Sequence, residues 1–157
     1  SDVVSMACYA PLFGNATACQ WTPDLIFFDR NGCFATVNYY VQQLFMTHRI
    51  QTVLPLSLNA RADSVFASAG LSADGDLVLK LVNAGEETAP LSVHLGGGDW
   101  ADAARLDLLA GRSGNDANTF TLPNLITPES GEIPAGRDFT YELPPYSLSV
   151  LTLSPAR

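Results

Sequence analysis

Residues 65–82 read VFASAGLSADGDLVLKLV, and this stretch shows the pattern on which most of the chain is built. Two apolar runs, Val65 to Leu71 and Leu77 to Val82, flank Asp74-Gly75, a residue pair typical of the tight turn between antiparallel strands. The stretch therefore predicts a β-hairpin.

Similar short segments lie on both sides of this hairpin, with alternating hydropathy or turn residues at their ends. They are Leu54 to Leu58, Leu91 to Leu95, Leu106 to Leu108, Phe139 to Leu143 and Tyr146 to Leu153. About seven short strands with turns between them predict an antiparallel β-sandwich, jelly-roll-like, over residues 51–157. Residues 110–137 show no such period, and we expect them to form a covering loop.

The first 50 residues have a different rhythm. The apolar run from Val3 to Tyr9 is almost uninterrupted and is closed by Pro11, which is typical of a strand buried on both faces. A second apolar run, Leu25 to Phe28, is closed by the turn signal Asn31-Gly32. These features predict a buried strand followed by a long loop.

An amphipathic helix is predicted after the second run. Thr36 suits the N-cap position, and His48 and Arg49 suit the negative C-terminal end of a helix dipole. One apolar stripe at helical spacing is formed by Val37, Tyr40, Val41, Leu44 and Phe45. The order strand, loop, helix over residues 1–50 is compatible with the last β/α unit of a barrel, and the boundary to the sandwich is expected near residues 49–52.

The charge of the chain argues against two classes of partner. Sixteen acidic against eight basic residues give a net charge of -8, and such a surface repels nucleic acid and anionic membranes. No apolar run reaches the roughly 18 residues of a membrane span, and no secretory leader pattern opens the chain. Because the chain begins at Ser1 and not at Met, we expect a processed or partial polypeptide.

The three cysteines all lie within the first 33 residues and bear on the cellular compartment. Cys19 and Cys33 flank a polar, turn-rich stretch and are predicted to form a disulfide, whereas Cys8 lies in an apolar run and is predicted to be a small buried residue. Asn15 begins the N-glycosylation sequon Asn15-Ala16-Thr17. Together with the acidic composition, these features favour a secreted protein in an extracellular, cell-wall or vacuolar setting.

The opening residues 1–13, SDVVSMACYAPLF, closely resemble a run found in α-L-arabinofuranosidases of glycoside hydrolase family 51. The resemblance continues in the same order over nearly the whole chain. Its further segments are residues 20–29, 38–45, 79–84, 115–120 and 139–147. Cys8, Cys19, Cys33 and Val37 depart from the family pattern, so the predicted disulfide rests on this sequence alone.

The resemblance implies a (β/α)8 barrel followed by a β-sandwich. The enzyme would remove terminal α-L-arabinofuranosyl residues from arabinoxylan, arabinan or arabinogalactan with retention of configuration. Residues 1–50 would be the last barrel strand with its loop and helix, and residues 51–157 the sandwich. A lone barrel unit leaves two strand edges and an apolar face uncovered, so we expect a tightly associated polypeptide segment with the other barrel units.

A retaining glycosidase uses two carboxyl groups about 5–5.5 Å apart, one as nucleophile and one as acid/base. The resemblance implies two glutamates from earlier barrel strands, whereas the first glutamate here is Glu86, inside the predicted sandwich. Asp2 would lie at the wrong end of its strand. Asp24 and Asp29 follow the strand and could approach the site, but they are interpreted as caps or turn formers. The catalytic pair is therefore expected on the partner segment, and this chain alone is expected to be inactive.

The loop from Gly14 to Thr22 follows the predicted barrel strand, at the end where barrel active sites form. An indole face stacks on the apolar face of a sugar, and an amide hydrogen-bonds sugar hydroxyls. Gln20 and Trp21 are therefore the candidate residues for binding arabinose. The alternative for Trp21 is a packing anchor between barrel and sandwich.

No residue pattern predicts a cofactor or a metal. Three cysteines without a C-x-x-C pair do not indicate zinc, and Gly96-Gly97-Gly98 is interpreted as a turn and not as a phosphate loop. His48, at a helix end, and His94, on the outward side of a strand, are not placed as catalytic bases. A second hypothesis is a non-catalytic carbohydrate- or protein-binding sandwich, in which Trp100 is the one tryptophan available for contact.

Overall fold

The computed structural model describes residues 6–59 and 63–156, and within them the chain is mainly β with one helix. The N-terminal unit contains β1 (Phe13–Asn15), β2 (Ile26–Phe28), β3 (Cys33–Ala35) and α1 (Val37–Thr47). The strands that follow are β4 (Thr52–Val53), β5 (Val65–Leu71), β6 (Leu77–Asn83), β7 (Ala89–His94), β8 (Ala103–Ala110), β9 (Glu129–Pro134), β10 (Asp138–Leu143) and β11 (Ser147–Leu153).

A six-stranded antiparallel sheet, in the order β4-β5-β6-β11-β8-β9, forms the centre of the molecule. Its middle strands, β6 and β11, are buried at almost every position. Successive residues of a strand point to opposite faces, so this burial means that both faces of the sheet are covered. The predicted hairpin is confirmed, with β5 and β6 joined through Gly75 at a φ of 87°.

The inner face of this sheet packs on a two-stranded sheet formed by β7 and β10. Leu143 of β10 and Leu151 of β11 have no exposed surface. The core between the sheets also contains Val65, Ala69, Leu77, Leu79, Leu81, Leu95, Ala104, Tyr141 and Leu153. The predicted antiparallel β-sandwich is therefore confirmed.

The outer face of the six-stranded sheet is covered by α1. Val78 of β6 and Val150 of β11 form a second core with Leu44 of the helix. The other members of this core are Val37, Tyr40, Val41, Ile50, Val82, Leu109, Ile126 and Leu148. The predicted apolar stripe of the helix therefore faces the sandwich, except that Phe45 at its end is 42% exposed.

Both ends of α1 have partners for their free backbone groups. Thr36 caps the N-terminus as predicted, since its side chain accepts a hydrogen bond from the Tyr39 amide at 3.4 Å. At the C-terminus the His48 amide donates to the Leu44 carbonyl at 3.2 Å. Lys80 reaches over from β6 and donates its Nζ to the Phe45 carbonyl at 3.1 Å, so a cation lies at the negative end of the helix. Burial lowers the pKa of the Lys80 amine.

The predicted barrel strand from Val3 to Tyr9 stays a prediction. Residues 3–5 lie outside the described residues, and residues 6–9 form no strand within this chain, with Met6 85% exposed. A strand buried on both faces needs a hydrogen-bonded neighbour on each side, and the neighbours predicted for this strand belong to barrel units that are not part of this chain. The described sheet of this unit begins at Phe13, with β1 parallel to β2 and β2 antiparallel to β3.

The region from 110 to 137 is not one loop, which corrects an expectation. Residues 129–134 form β9, an edge strand that pairs with β8 and has five of its six residues exposed. Such a strand lacks the alternation by which strands are recognised in a sequence. Conversely, the alternating residues from Leu54 to Leu58 form no strand, because Pro55 has no N–H with which to continue the ladder of β4.

The remaining loop, residues 111–128, ties the N-terminal unit to the sandwich. Asn118 is 4% exposed and donates its Nδ2 to the Ala35 carbonyl at 2.9 Å and to the Ile126 carbonyl at 2.8 Å. Phe120 meets Phe34 edge to face, with ring centroids 4.9 Å apart. The expectation that this stretch covers another part of the chain is confirmed for residues 111–128.

The division of the chain at residue 50 stays a prediction. The helix of the N-terminal unit and the sandwich share the core on the outer face of the six-stranded sheet. Among the described residues, no helix has the length and the apolar character needed to cross a bilayer.

A buried carboxylate joins the helix to the sheet. Asp107 of β8 is 3% exposed and accepts hydrogen bonds from His48 Nε2 at 2.8 Å and from Ser130 Oγ. Arg105 lies 2.8 Å from the same carboxylate. Burial raises the pKa of Asp107, but the hydrogen bonds from Ser130 and His48 and the Arg105 charge outweigh it, so that the net shift lowers this pKa. Asp107 is therefore ionised in the folded protein at neutral pH.

We expect Asp107→Asn to lower the free energy of unfolding by about 1–3 kcal/mol at neutral pH, because it disrupts hydrogen bonds made to a buried charge. The folded pKa of Asp107 is lowered, so its contribution is complete above its unfolded pKa of about 3.9 and is lost as the pH falls through the folded value. Urea unfolding as a function of pH tests this. Asp138→Asn is the control, since Asp138 pairs with His94 on the surface, and equal effects of the two variants would contradict the prediction.

Candidate functional site

A cleft of about 540 Å³ opens beside the three-stranded sheet of the N-terminal unit. Its walls are two short segments that the sequence separates, residues 9–11 and residues 21–23. The lining residues are Tyr9, Ala10, Pro11, Trp21, Thr22 and Pro23. An aromatic and proline-rich wall with few polar groups is a surface on which the apolar face of a sugar can lie.

Hydrogen bonds between side chains and the main chain hold the two walls together. Tyr9 donates its hydroxyl to the Pro23 carbonyl at 2.9 Å, which links one wall to the other. Asn38, in the first turn of α1, donates its Nδ2 to the Tyr9 hydroxyl oxygen at 2.9 Å. The cleft is therefore attached to the helix, and through the helix to the sandwich. Neither Tyr9 nor Asn38 lies in a sequence pattern that predicts this role.

Of the two candidate sugar-binding residues, the structure brings one into the cleft. Trp21 lines it and is 68% exposed within this chain. Gln20 is exposed next to Trp21 but does not line the cleft. Sugar binding by Gln20 and Trp21 stays a prediction, as does the alternative that Trp21 is a packing anchor between barrel and sandwich.

A buried carboxylate lies directly behind this wall. Asp24 is 1% exposed, and within the described residues its Oδ1 has no hydrogen-bond partner. Its Oδ2 accepts from the Cys19 thiol at 2.9 Å. The interpretation of Asp24 as a simple turn former is therefore incomplete. Asp29 does form a turn as expected, since its Oδ1 accepts from the amides of Asn31 and Gly32 at 2.6 and 3.0 Å.

The cysteines correct another expectation. Cys19 and Cys33 are free thiols in the structure, and Cys8, predicted to be buried, is exposed. Cys33 lies in β3 opposite Phe28 of β2, whereas Cys19 faces Asp24 and the Trp21 carbonyl. The position of Cys19 is accordingly set by hydrogen bonds and not by a bridge to Cys33.

The sequon residue Asn15 is exposed at the end of β1. Its Oδ1 accepts hydrogen bonds from the Thr17 amide at 3.0 Å and from the Thr17 hydroxyl at 2.8 Å. Nothing in the fold covers this side chain, but glycosylation at Asn15 stays a prediction.

The carboxylates in the rest of the chain do not gather at the cleft. Glu86, Glu87, Glu129, Glu132 and Glu142 are all exposed, and they lie in the sandwich region. No glutamate lines the cleft, as the cleft's six lining residues show. Within residues 6–59 and 63–156, no group of three or more His, Cys, Asp or Glu side chains could hold a metal ion.

A second groove of about 660 Å³ lies between the end of α1 and the six-stranded sheet. It contains His48 and Asp107, with Ser130 bonded to the same carboxylate. This is not the arrangement of a nucleophilic triad, in which histidine stands between the acid and the serine. Here Asp107 stands between the other two, so no base is placed to activate the Ser130 hydroxyl.

Two further residues considered for function from the sequence, His94 and Trp100, contact other residues of the sandwich. His94 is exposed and pairs with Asp138 on the neighbouring strand β10, which agrees with its predicted outward position. Trp100 is partly buried against the sandwich core, and its Nε1 is buried without a hydrogen-bond partner among the described residues. Trp100 is therefore less exposed than Trp21, and its contact with a glycan stays the alternative hypothesis.

A family model described as the α-L-arabinofuranosidase C-terminal domain matches residues 1–147. The chain therefore belongs to the α-L-arabinofuranosidase C-terminal domain family. The predicted resemblance to family 51 α-L-arabinofuranosidases is confirmed by this match and by the relatives that follow.

The chain is 36% identical over 157 residues to a probable α-L-arabinofuranosidase A of Aspergillus flavus, covering 96% of this chain and 24% of that protein. It is 34% identical over 159 residues to α-L-arabinofuranosidase 2 of Arabidopsis thaliana, covering 98% and 24%. Among solved structures, the arabinose-bound α-L-arabinofuranosidase MgGH51 matches 99% of this chain and 25% of its own, with a TM-score of 0.91 and 29% identity. The chain thus spans about a quarter of the length of these relatives.

The close contact between Gly14 and Asp24 allows a test of whether the Asp24 side chain is fixed in place. A Cβ at Gly14 would overlap Asp24 Oδ2 and lie 2.8 Å from its Cγ. We expect Gly14→Ala to lower the free energy of unfolding by roughly 1–3 kcal/mol, because the buried carboxylate has to move. Gly32→Ala is the matched control, since its Cβ would meet nothing within 4 Å. Denaturant unfolding of both variants distinguishes them, and equal stability would mean that Asp24 is loosely held.

Proposed function

We propose that this chain is the part of a secreted, retaining α-L-arabinofuranosidase that contributes sugar contacts, while the catalytic glutamate pair belongs to another polypeptide segment. The observation that supports this most directly is the cleft beside β1 to β3, where the exposed Trp21 indole forms one wall and no glutamate is present. The family to which the chain belongs indicates the reaction, hydrolysis of α-L-arabinofuranosides. The cleft indicates the contribution of this chain, which is contact with the sugar.

The proposed substrate contact follows from the shape of arabinofuranose. One face of the ring presents C–H groups, which stack on an indole, and the hydroxyls around the ring need hydrogen-bond partners. Trp21 would provide the stacking surface, and the exposed Gln20 would reach hydroxyls at the rim. The polysaccharide would be an arabinoxylan, an arabinan or an arabinogalactan, from which terminal arabinofuranosyl residues are released.

The partner segment would complete both the barrel and the chemistry. Retention of configuration needs two carboxyl groups about 5–5.5 Å apart, and the glutamates of this chain are dispersed on the surface of the sandwich region. The N-terminal unit also exposes large apolar side chains that a covering segment would bury. They are Met6, Leu12, Phe13 and Phe28, exposed by 85%, 50%, 59% and 38%.

A secretory destination for this enzyme is supported by the exposed sequon at Asn15 and by the acidic surface. Asn15 lies at the end of an edge strand, where an attached glycan would project into solvent. The proposed partners are the barrel segment and the polysaccharide. The net charge of -8 argues against nucleic acid and anionic membranes.

Trp21→Ala tests the sugar contact in the enzyme that contains this chain together with its barrel segment. We expect KM for an aryl α-L-arabinofuranoside to rise about tenfold with little change in kcat, which corresponds to about 1.4 kcal/mol of lost stacking. Phe66→Ala is the control, because Phe66 is 57% exposed on β5 and does not line the cleft. An unchanged KM for the Trp21 variant would contradict the proposal that the cleft binds the sugar.

Activity of the isolated 157-residue chain tests whether the catalytic glutamate pair belongs to another polypeptide segment. We expect no turnover of the aryl α-L-arabinofuranoside by the chain alone, and recovery of turnover when the barrel segment is supplied. Turnover by the chain alone would show that its own carboxylates are sufficient. That result would contradict the assignment of the catalytic pair to the partner.

A further inference from the structure

The thiol of Cys19 lies between two oxygen acceptors directly behind the cleft. Its Sγ is 2.6 Å from the Trp21 carbonyl oxygen and 2.9 Å from Asp24 Oδ2. A thiol has one proton, so this single S–H is shared between the main chain of the cleft wall and a buried carboxylate. Among the described residues, this is the one hydrogen bond made to the Trp21 main chain.

The acceptor Asp24 is itself held firmly. It is 1% exposed and packs against Gly14, which leaves no room for a side chain there. The Asp24 carbonyl accepts from the Thr36 hydroxyl at 2.9 Å, and Thr36 is the N-cap of α1. A continuous series of contacts therefore runs from the helix that packs on the sandwich, through Asp24 and Cys19, to Trp21.

We propose that Cys19 and Asp24 are positioning residues for the sugar-contacting Trp21, with the Cys19 S–H linking the Trp21 carbonyl to the anchored Asp24 carboxylate. The inference deepens the proposed function and rests on it in one respect, namely that the Trp21 indole contacts the sugar. Two exposed residues at the end of a turn, Gln20 and Trp21, have little packing of their own to fix them. The partly covered Cys19 thiol and the buried Asp24 carboxylate together supply the rigid support that a stacking surface requires.

The surroundings of the thiol agree with a donor role. The hydrogen bond to Asp24, and to a lesser degree burial, raise the pKa of Cys19, while the Trp21 carbonyl contact opposes them. A raised pKa keeps the sulfur protonated at neutral pH, and only a protonated sulfur can donate to the two oxygens. Cys33 and Cys8, in contrast, are exposed.

A double-mutant cycle between Cys19 and Trp21 tests the proposal in the enzyme with its barrel segment. We expect Cys19→Ala to raise KM for the aryl α-L-arabinofuranoside about fivefold with kcat nearly unchanged, and to have no further effect in a Trp21→Ala background. Cys19→Ser, which keeps a donor, is expected to stay within about twofold of the parent enzyme. Cys33→Ala, at an exposed thiol outside the cleft, is the matched control with no expected effect.

The outcomes separate the two proposals. If Trp21→Ala leaves KM unchanged, the sugar contact itself is wrong. If Trp21→Ala raises KM but Cys19→Ala does not, the positioning role is overturned and the sugar contact stands. A loss of kcat that is equal in both backgrounds would show that Cys19 is needed for folding alone, and it would also overturn the positioning role.

Alkylation gives a second measurement that needs no variant. We expect iodoacetamide to modify Cys19 at least about tenfold more slowly than Cys33 in the native enzyme at neutral pH, because Cys19 is partly covered, protonated and hydrogen-bonded. Peptide mass spectrometry follows both sites in one sample. Equal rates would mean that the thiol is not engaged by Asp24, and the positioning role would fall independently of any result with sugar.

Discussion

The pairing of β6 with β11 is the interaction on which the rest of the structure depends. Their residues alternate between two faces, so this one ladder provides five leucines for the sandwich core on one side, and three valines and Leu148 for the core under the helix on the other. A strand of this kind is stable only when both faces are covered. The two-stranded sheet β7–β10 and the helix α1 are the two covers, and neither has a comparable apolar surface to pack on elsewhere in the described chain.

The cleft depends on that arrangement through α1. The helix packs on the outer face of the sheet, its N-cap Thr36 bonds to the Asp24 carbonyl, and its first-turn residue Asn38 bonds to the Tyr9 hydroxyl. The loop 111–128 supports the same unit through Asn118 and through Phe120, which packs on Phe34. Residues 111–128 and the six-stranded sheet therefore help to fix the position of a cleft to which they contribute no side chain.

The chemistry of the family needs parts that this chain does not gather. Two carboxylates must flank a sugar, whereas the glutamates of this chain are exposed in the sandwich region and none of them lines the cleft. What the cleft offers is an apolar wall, an indole face and a rigid backing. In the proposed function these features would bind and orient a substrate, and orientation of a sugar relative to the catalytic carboxylate pair is a large part of what a glycosidase requires.

The amino-acid sequence by itself determined the secondary structure wherever the period of apolar residues reports burial: the hairpin of residues 65–82, the strands β7, β8, β10 and β11, and the helix after Thr36. It also determined the family, since matching segments follow one another along the chain. Only the tertiary structure decided the rest, because edge strand β9 has few buried residues, residues 6–9 have no neighbouring strand within the described part of the chain, and Cys19 bonds to Asp24 and not to Cys33. Hydrogen bonds between residues far apart in the sequence, such as that between Tyr9 and Pro23, produce no periodic pattern in the sequence. Only folding brings such residues together.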